Sequence, residues 1–301
     1  MEKREPKTLR NAFTVDVEEY FQVEAFSEIV DRRSWNRYPS RALKQTEKVL
    51  NLLETFQVQG TFFVLGWLAE RNPELIRKIH DAGHEIASHG FDHKMISKLT
   101  PSEFRKDVRK SKDILEGITN TEIRGYRAPT FSIVEKTSWA YEILLEEGFR
   151  YSSSVYPIRH DRYGWPEFGN DPRKMAANGK GEIWEIPMAV GSVGPFNIPF
   201  GGGGYLRLYP LFLTKALFRS LGKQGKPAMM YMHPWELDTE QPLVKAPLFR
   251  RIRHNMGIRA MENKLVTLLQ SLNFGTIQQY LEDRIVAGSA PPLYKIRKEM
   301  K

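Results

Sequence analysis

The sequence predicts an α/β fold built on a mostly parallel sheet, either open or closed into a barrel. Three observations predict it. Short apolar runs alternate with amphipathic stretches along most of the chain. The 301 residues, 41% hydrophobic and 27% charged, are enough for one large core or two small ones. The residues able to do chemistry fall at the C-terminal ends of different strand-like runs, the face on which parallel α/β folds assemble their sites.

The elements follow in order. Residues 11–17 read as a strand and 41–56 as a helix, with Leu43, Val49, Leu50, Leu53 and Phe56 near helical spacing. Residues 61–65, aromatic and β-branched, read as a strand. Asn72 is expected to cap a helix that has Pro73 in its first turn and ends before Gly83. Residues 85–88 form a short strand. Thr100, Pro101 and Glu103 spell a capping box at the start of the next helix. The alternation continues with strands at 123–127 and 151–155 around a helix at 134–147. Strands at 183–188 and 228–233 flank a helix at 210–222. A helix at 262–272 and a last strand at 274–277 close the pattern. The segment 157–205, rich in Gly, Pro and aromatics, is expected to be loop lying over a site.

Composition excludes several classes. There is no cysteine, so disulfide scaffolds, Cys-ligated zinc, iron–sulfur clusters and thiol nucleophiles are ruled out. Any metal must sit on His, Asp or Glu. Residues 1–10 are charged and no run reaches 18 apolar residues, which makes a cytoplasmic location the expectation. Lys and Arg outnumber Asp and Glu by 45 to 36, a net charge of +9, but the signs are mixed along most of the chain. The main exception, Arg250-Arg251-Ile252-Arg253-His254, reads as a solvated face or a weak contact with an anionic surface such as the inner face of a membrane. No nucleic-acid signature accompanies it.

Four of the seven histidines lie between positions 80 and 93. His84-Glu85 is followed by His89 five residues on, so the zinc-protease spacing fails. His89 and His93 have the four-residue spacing with which one helical turn aims two imidazoles at an ion, although chance placement gives the same spacing. Asp16 and Glu18 are two apart and share one face of an extended chain, either at a cation site or in solvent. Arg127, before Pro129, ends a strand, where it can clamp a carboxylate or reach water. His233 tips an apolar strand, which packing alone does not explain. Trp67, Trp165, Trp184 and Trp235 are candidates for a pocket wall, and Trp235 adjoins His233. His160, Asp161 and Arg162 are candidates for a cleft rim, and Gly201–Gly204 for close backbone approach or flexibility.

These motifs, in this order, resemble the polysaccharide deacetylase family (NodB homology, carbohydrate esterase family 4), and most of all its subgroup encoded near bacterial exosortase and exopolysaccharide genes. The likeness runs from about Asn11 to about Tyr280 and rests on TVDVEEYF (14–21), TFFVLGWLAE (61–70), GHEIASHGFDH (83–93), GYRAP (125–129), PIRHDRYG (157–164), GGGYL (202–206) and HPWE (233–236). It implies a distorted (β/α) barrel of about seven parallel strands. A single catalytic domain would span 11–280, subgroup-specific from about 157, between charged tails at 1–10 and 285–301. It implies Asp16 as catalytic base, His233 as acid and Arg127 as the arginine orienting the base. His89 and His93 match the two metal-binding histidines. The third ligand of the family is an Asp next to the base or two residues beyond it. Val17 fills the adjacent slot, which leaves Glu18, with Glu19 as the alternative. Trp235, Tyr126, Pro129 and Gly203 are the expected substrate-binding residues, and zinc is the expected ion. Ser152 stands where relatives often carry Asp. The activity implied is removal of N-acetyl groups from hexosamines of an exopolysaccharide or its precursor. A metal-free amidase acting on a small cyclic amide and a non-catalytic glycan binder are the competing readings.

Overall fold

A computed structural model describes residues 9–160, 162–176, 180–193, 196–286 and 293–295. In chain order the elements begin with β1 (Asn11–Val17), α1 (Ala42–Thr55), β2 (Thr61–Val64), α2 (Gly66–Arg71), α3 (Pro73–Asp81) and β3 (Glu85–Ser88). Next come α4 (Pro101–Thr119), β4 (Gly125–Tyr126), α5 (Ala140–Glu146), β5 (Tyr151–Ser152), β6 (Arg173–Ala176), β7 (Glu182–Glu185), β8 (Val190–Val193) and β9 (Phe196–Pro199). The chain finishes with α6 (Gly203–Leu208), α7 (Leu211–Lys223), β10 (Met229–Met232), α8 (Leu248–Asn255), α9 (Ile258–Ser271), β11 (Phe274–Gly275), α10 (Ile277–Val286) and β12 (Leu293–Lys295).

The main sheet runs β10-β1-β2-β3-β4-β5-β7-β6-β12, with β11 beside β1. Its pairings are parallel except β6 with β7. It is a mostly parallel α/β sheet, and among the described residues no pairing joins β10 to β12. Alternation along each strand sorts side chains to two faces. Phe13, Val15 and Val17 of β1, Phe62 and Val64 of β2, and Met230 and Met232 of β10 face the helix layer. There they meet Val49, Leu53, Leu75, Ile79, Phe104 and Leu115. Ala12, Phe63, Ala87, Tyr151 and Met229 belong to a second buried cluster on the other face. β1 is buried along its whole length, as a strand flanked on both edges must be.

Several expectations change. Thr100 and Glu103 do form the capping box. Asn72 precedes α3 but does not cap it with its side chain, which donates instead to the Leu68 carbonyl at the end of α2 (3.2 Å). The expected helix at 134–147 splits into a 3-10 turn at Glu135–Thr137 and α5. The segment 157–205 is not simply loop. Besides β7, which falls on the strand expected at 183–188, it holds β6, which joins β7 in the main sheet, and the separate β8–β9 pair. Helices α2, α6, α8 and α10 were not read from the sequence. Within the stretch expected to be a C-terminal tail, Leu293–Lys295 adds β12 to the sheet. Arg10, at the other expected tail, pairs with Asp283 (2.7 Å). Residues 1–8, 287–292 and 296–301 of those tails lie outside the described residues, as does Asp161.

Candidate active site

The inner face of the sheet ends in a cluster of polar side chains, each delivered by strand alternation. Thr14 and Asp16 lie on the opposite face of β1 from Val15 and Val17, and Glu18 continues their row past the strand end. His89 follows β3, Arg127 follows β4, Ser153 follows β5 and His233 follows β10. All are buried or nearly so.

Arg127 is the fixed point. Its guanidinium is fully buried and donates from Nη1 to Asp16 Oδ1 (2.6 Å) and Thr14 Oγ1 (2.9 Å). Nε donates to the Ser153 carbonyl (3.0 Å), Nη2 to Ser153 Oγ (3.0 Å), and the group lies 4.0 Å over the Phe63 ring. A buried guanidinium needs this many partners, because each unmet donor would carry its full desolvation cost. The result is a carboxylate, Asp16, held in one orientation.

Glu18, His89 and His93 each offer a ligand atom, and these atoms lie within 4.8 Å of one another. His89 Nδ1 is 2.9 Å from the Arg127 carbonyl, which can only accept. The proton is therefore on Nδ1, and Nε2 keeps a free lone pair. Burial holds the His89 ring neutral, its pKa down at about 4. His93 is reached by an irregular turn rather than a helix, which corrects the helical reading of the four-residue spacing. Gly90 and His93 have φ of +74° and +53°. The turn is pinned by Asp107 of α4, which accepts from Phe91 N (2.9 Å), and by Arg32, which donates to the Asp92 and His93 carbonyls (2.6 and 2.9 Å). Glu18 Oε2 sits 2.9 Å from His93 Nε2 and Oε1 sits 3.3 Å from His233 Nε2. Burial alone would raise the Glu18 carboxyl, but His93 and His233 outweigh it and hold it at about 2.

This donor set fits a divalent cation. Two imidazoles and a carboxylate, all buried, are the ligand types that zinc takes. Glu18 Oε2 is a buried oxygen that makes no hydrogen bond despite its close approach to His93, as expected where a carboxylate and imidazole lone pairs face a common point. Glu19 does not compete. Its carboxylate accepts from the Ser40 hydroxyl and from Arg41 N and Ala42 N (2.9 and 3.2 Å), so it caps α1 from a distance.

His233 is held by groups that sequence reasoning missed. Glu236 Oε2 accepts from His233 N (3.0 Å) and lies 3.5 Å from its Nδ1, while Arg207 Nε donates to Glu236 Oε1 (2.9 Å). Burial disfavours the charged ring, but Glu18 and Glu236 outweigh that and raise His233 to about 9. Arg207 also donates to the His254 and Met256 carbonyls (2.6 and 2.9 Å). The signal for Arg207 was a single charge inside the apolar run 205–213, and Glu236 closed the HPWE motif. Thr14 was legible as the residue two before Asp16 on the same strand face.

The expected substrate-binding residues divide. Trp235 is buried and stacked between His233 (5.1 Å) and His254 (4.3 Å), with Nε1 3.5 Å from Glu18 Oε1. It also lines a cavity of about 390 Å³ with Thr130, His160, Arg162, Tyr163 and Arg253. Gly203 stands behind Glu236, where a Cβ would come within 1.8 Å of Oε2, so the glycine run serves close approach. Pro129 is buried and opens a 3-10 turn. Tyr126 faces away from the site, packed between Phe104 and Phe149. Since Arg127 points inward, alternation sends Tyr126 to the helix layer. Trp67 packs edge-on against Trp35, and Trp165 against Phe168 and Tyr294. Trp184 packs in the core cluster of Tyr151 and Met229. Ser152 donates to Ser154 Oγ (2.7 Å), and the acid of that neighbourhood is Glu185 of β7, which accepts from Ser154 N and Val155 N (2.7 and 2.9 Å).

Residues 36–146 match the polysaccharide deacetylase family. That segment, about a third of the chain, is similar to polysaccharide deacetylases. His89, His93 and Arg127 lie inside the matched segment, while Asp16 and Glu18 precede it. His233, Glu236 and Arg207 fall in residues 153–282, which match a family described as a domain of unknown function (DUF3473). A peptidoglycan-N-acetylglucosamine deacetylase of Bacillus cereus is 33% identical over 101 residues, 33% of this chain and 37% of that protein. A peptidoglycan deacetylase of Helicobacter pylori is 30% identical over 144 residues, 48% of each. The chain therefore spans no more than about half the length of either relative. A solved structure from Mycobacterium smegmatis, described as a candidate polysaccharide deacetylase, superposes with a TM-score of 0.63 at 22% identity, covering 100% of this chain and 98% of that one. That likeness fixes the fold.

Proposed function

We propose that the protein is a metal-dependent hydrolase that removes N-acetyl groups from hexosamine residues of a bacterial polysaccharide, an exopolysaccharide or its precursor. The observation that carries this reading is the meeting, at one end of the sheet, of a Glu–His–His ligand set with a clamped carboxylate on one side and an imidazole on the other. The names of the curated relatives, deacetylases of N-acetylated glycans, agree with it.

Glu18, His89 and His93 would hold the cation. When bound there, it supplies Lewis-acid polarisation of an acetamide carbonyl and acidifies a water. Asp16, with Oδ1 engaged by Arg127, accepts the proton of the attacking water. His233 donates a proton from Nε2 to the departing amine as the C–N bond breaks, so that acetate leaves and the free amine remains on the sugar. Glu236 and Arg207 keep the His233 ring oriented and charged for that donation. Both proton balances are then restored from solvent.

The test is acetate release from N-acetylglucosamine oligomers by the purified protein, with metal measured by elemental analysis. The expected outcome is that a chelator and His89→Ala each remove metal and turnover together. Turnover by metal-free protein would overturn the proposal in favour of a metal-free amidase, and bound oligomer without release would point to a glycan binder.

A further inference from the structure

Helix α8 is turned inside out. Leu248, Phe249 and Ile252, continued by Met256 at its C-cap, fall at i, i+1, i+4 and i+8, an arc of about 100°. A surface helix normally lays such a stripe on the core. Here the four side chains are 67%, 68%, 54% and 46% exposed. The polar side faces the protein instead. His254 is buried against Trp235, and Arg250 reaches back to the Ala25 carbonyl and Glu28. Charge adds a second observation. From Gln241 to Met261 there is no acid, while Lys245, Arg250, Arg251, Arg253 and Arg259 are all basic.

We propose that α8, with the Leu243–Pro247 segment leading into it, docks on an anionic lipid bilayer. The apolar stripe enters the headgroup boundary and the flanking cations meet lipid phosphates. Neither part suffices alone. A short stripe gives only marginal, reversible binding, and basic residues near a surface add an increment each, so the two together make a peripheral anchor. Charge complementarity selects this occupant over a second copy of the chain, because two copies meeting through this face would oppose their arginines. The helix also walls the cavity of about 390 Å³ that reaches Trp235, through Phe249, Arg250 and Arg253. Docking therefore brings that cavity beside the bilayer surface. The inference is independent of the proposed reaction, since binding is read without turnover.

The experiment is co-sedimentation of the full chain with phosphatidylcholine vesicles, with and without phosphatidylglycerol. Phosphatidylglycerol vesicles should bind at least about tenfold more tightly, and high salt should remove the difference. The double variant L248S/I252S, whose positions are exposed and outside the cavity, should lose at least about tenfold in vesicle affinity, with an unchanged melting curve. Equal binding to both vesicle types, or binding untouched by the double variant, overturns the proposal. So does light scattering that shows a dimer which the double variant dissolves, since the face would then belong to a second copy.

Discussion

Up to Ser153 the site is carried mostly by strand ends, three polar side chains from β1 and one each after β3, β4 and β5, with His93 on the turn after β3, whereas beyond it a single histidine depends on charges borne by helices and turns. Asp16, His89 and Arg127 are fixed by sheet register: Asp16 sits opposite Phe63, and the Arg127 amide donates to the Ser88 carbonyl. His233 also ends a strand, but its ring state depends on Glu236, which depends on Arg207, which is tied to the last turn of α8. Of the proposed ligands, Glu18 and His89 are built onto strand ends and His93 onto a turn held by Arg32 and Asp107, while the proposed acid is supported by Glu236 and Arg207 from outside the sheet. Changes in the first region should act on the ligands or the base directly, while changes in the second should reach turnover only through His233.

Asp16→Asn gives the largest separation. Asn retains an oxygen for Arg127 Nη1, so the clamp and the ligand set stay in place, but the proton acceptor is gone. Acetate release should fall by about 10²–10⁴-fold with metal content unchanged. Metal loss in this variant would break the comparison, because it would make Asp16 part of the ligand set.

Gly203→Ala probes the other region. A Cβ there would overlap Glu236 Oε2, so the carboxylate must move away from His233. Loss of an orienting partner of this kind costs about 10–100-fold. The loss should appear in kcat, with KM and bound metal as in the wild type. A variant that loses metal instead would show that the two regions are not separable.

The same division governs what the sequence made legible. Period-2 alternation places Thr14, Asp16 and Glu18 on one face, and the apolar run before His233 shows a strand with a polar tip. The capping box at Thr100 is a local signal and holds. The failures are non-local. Glu19 caps a helix that begins 23 residues later, and Glu185, on the strand expected at 183–188, supplies the acid beside Ser152 from 33 residues away. His93 depends on a left-handed turn held by Arg32 and Asp107, so its spacing from His89 resembles a helical turn without being one. Tyr126 is the instructive error, since the alternation that sends Arg127 inward sends its neighbour outward. α8 was missed because residues 250–254 were read for their charge alone, although Leu248, Phe249, Ile252 and Met256 stand at helical spacing.

The smallest effect compares the two regions through acid sensitivity. His84, in the first, is buried beside Phe62 with Nδ1 accepting from Gly60 N (3.1 Å), and burial holds it at about 4. His254, in the second, is also held at about 4, by burial first and then by Arg207. Both are neutral in the fold, while the unfolded chain takes up their protons near the ordinary value of 6.5. Between pH 6.5 and about 4 the unfolded state therefore binds more protons. Their contribution to stability is complete above that window and is lost as pH falls through it. His84→Gln keeps an acceptor for Gly60 N and removes one titrating group, so the slope of stability against pH should flatten by at most about 1.4 kcal/mol per pH unit. Urea denaturation at a series of pH values measures it. An equal flattening from His254→Gln would mean that the two regions unfold as one unit; a separate transition for either would sharpen the boundary between them.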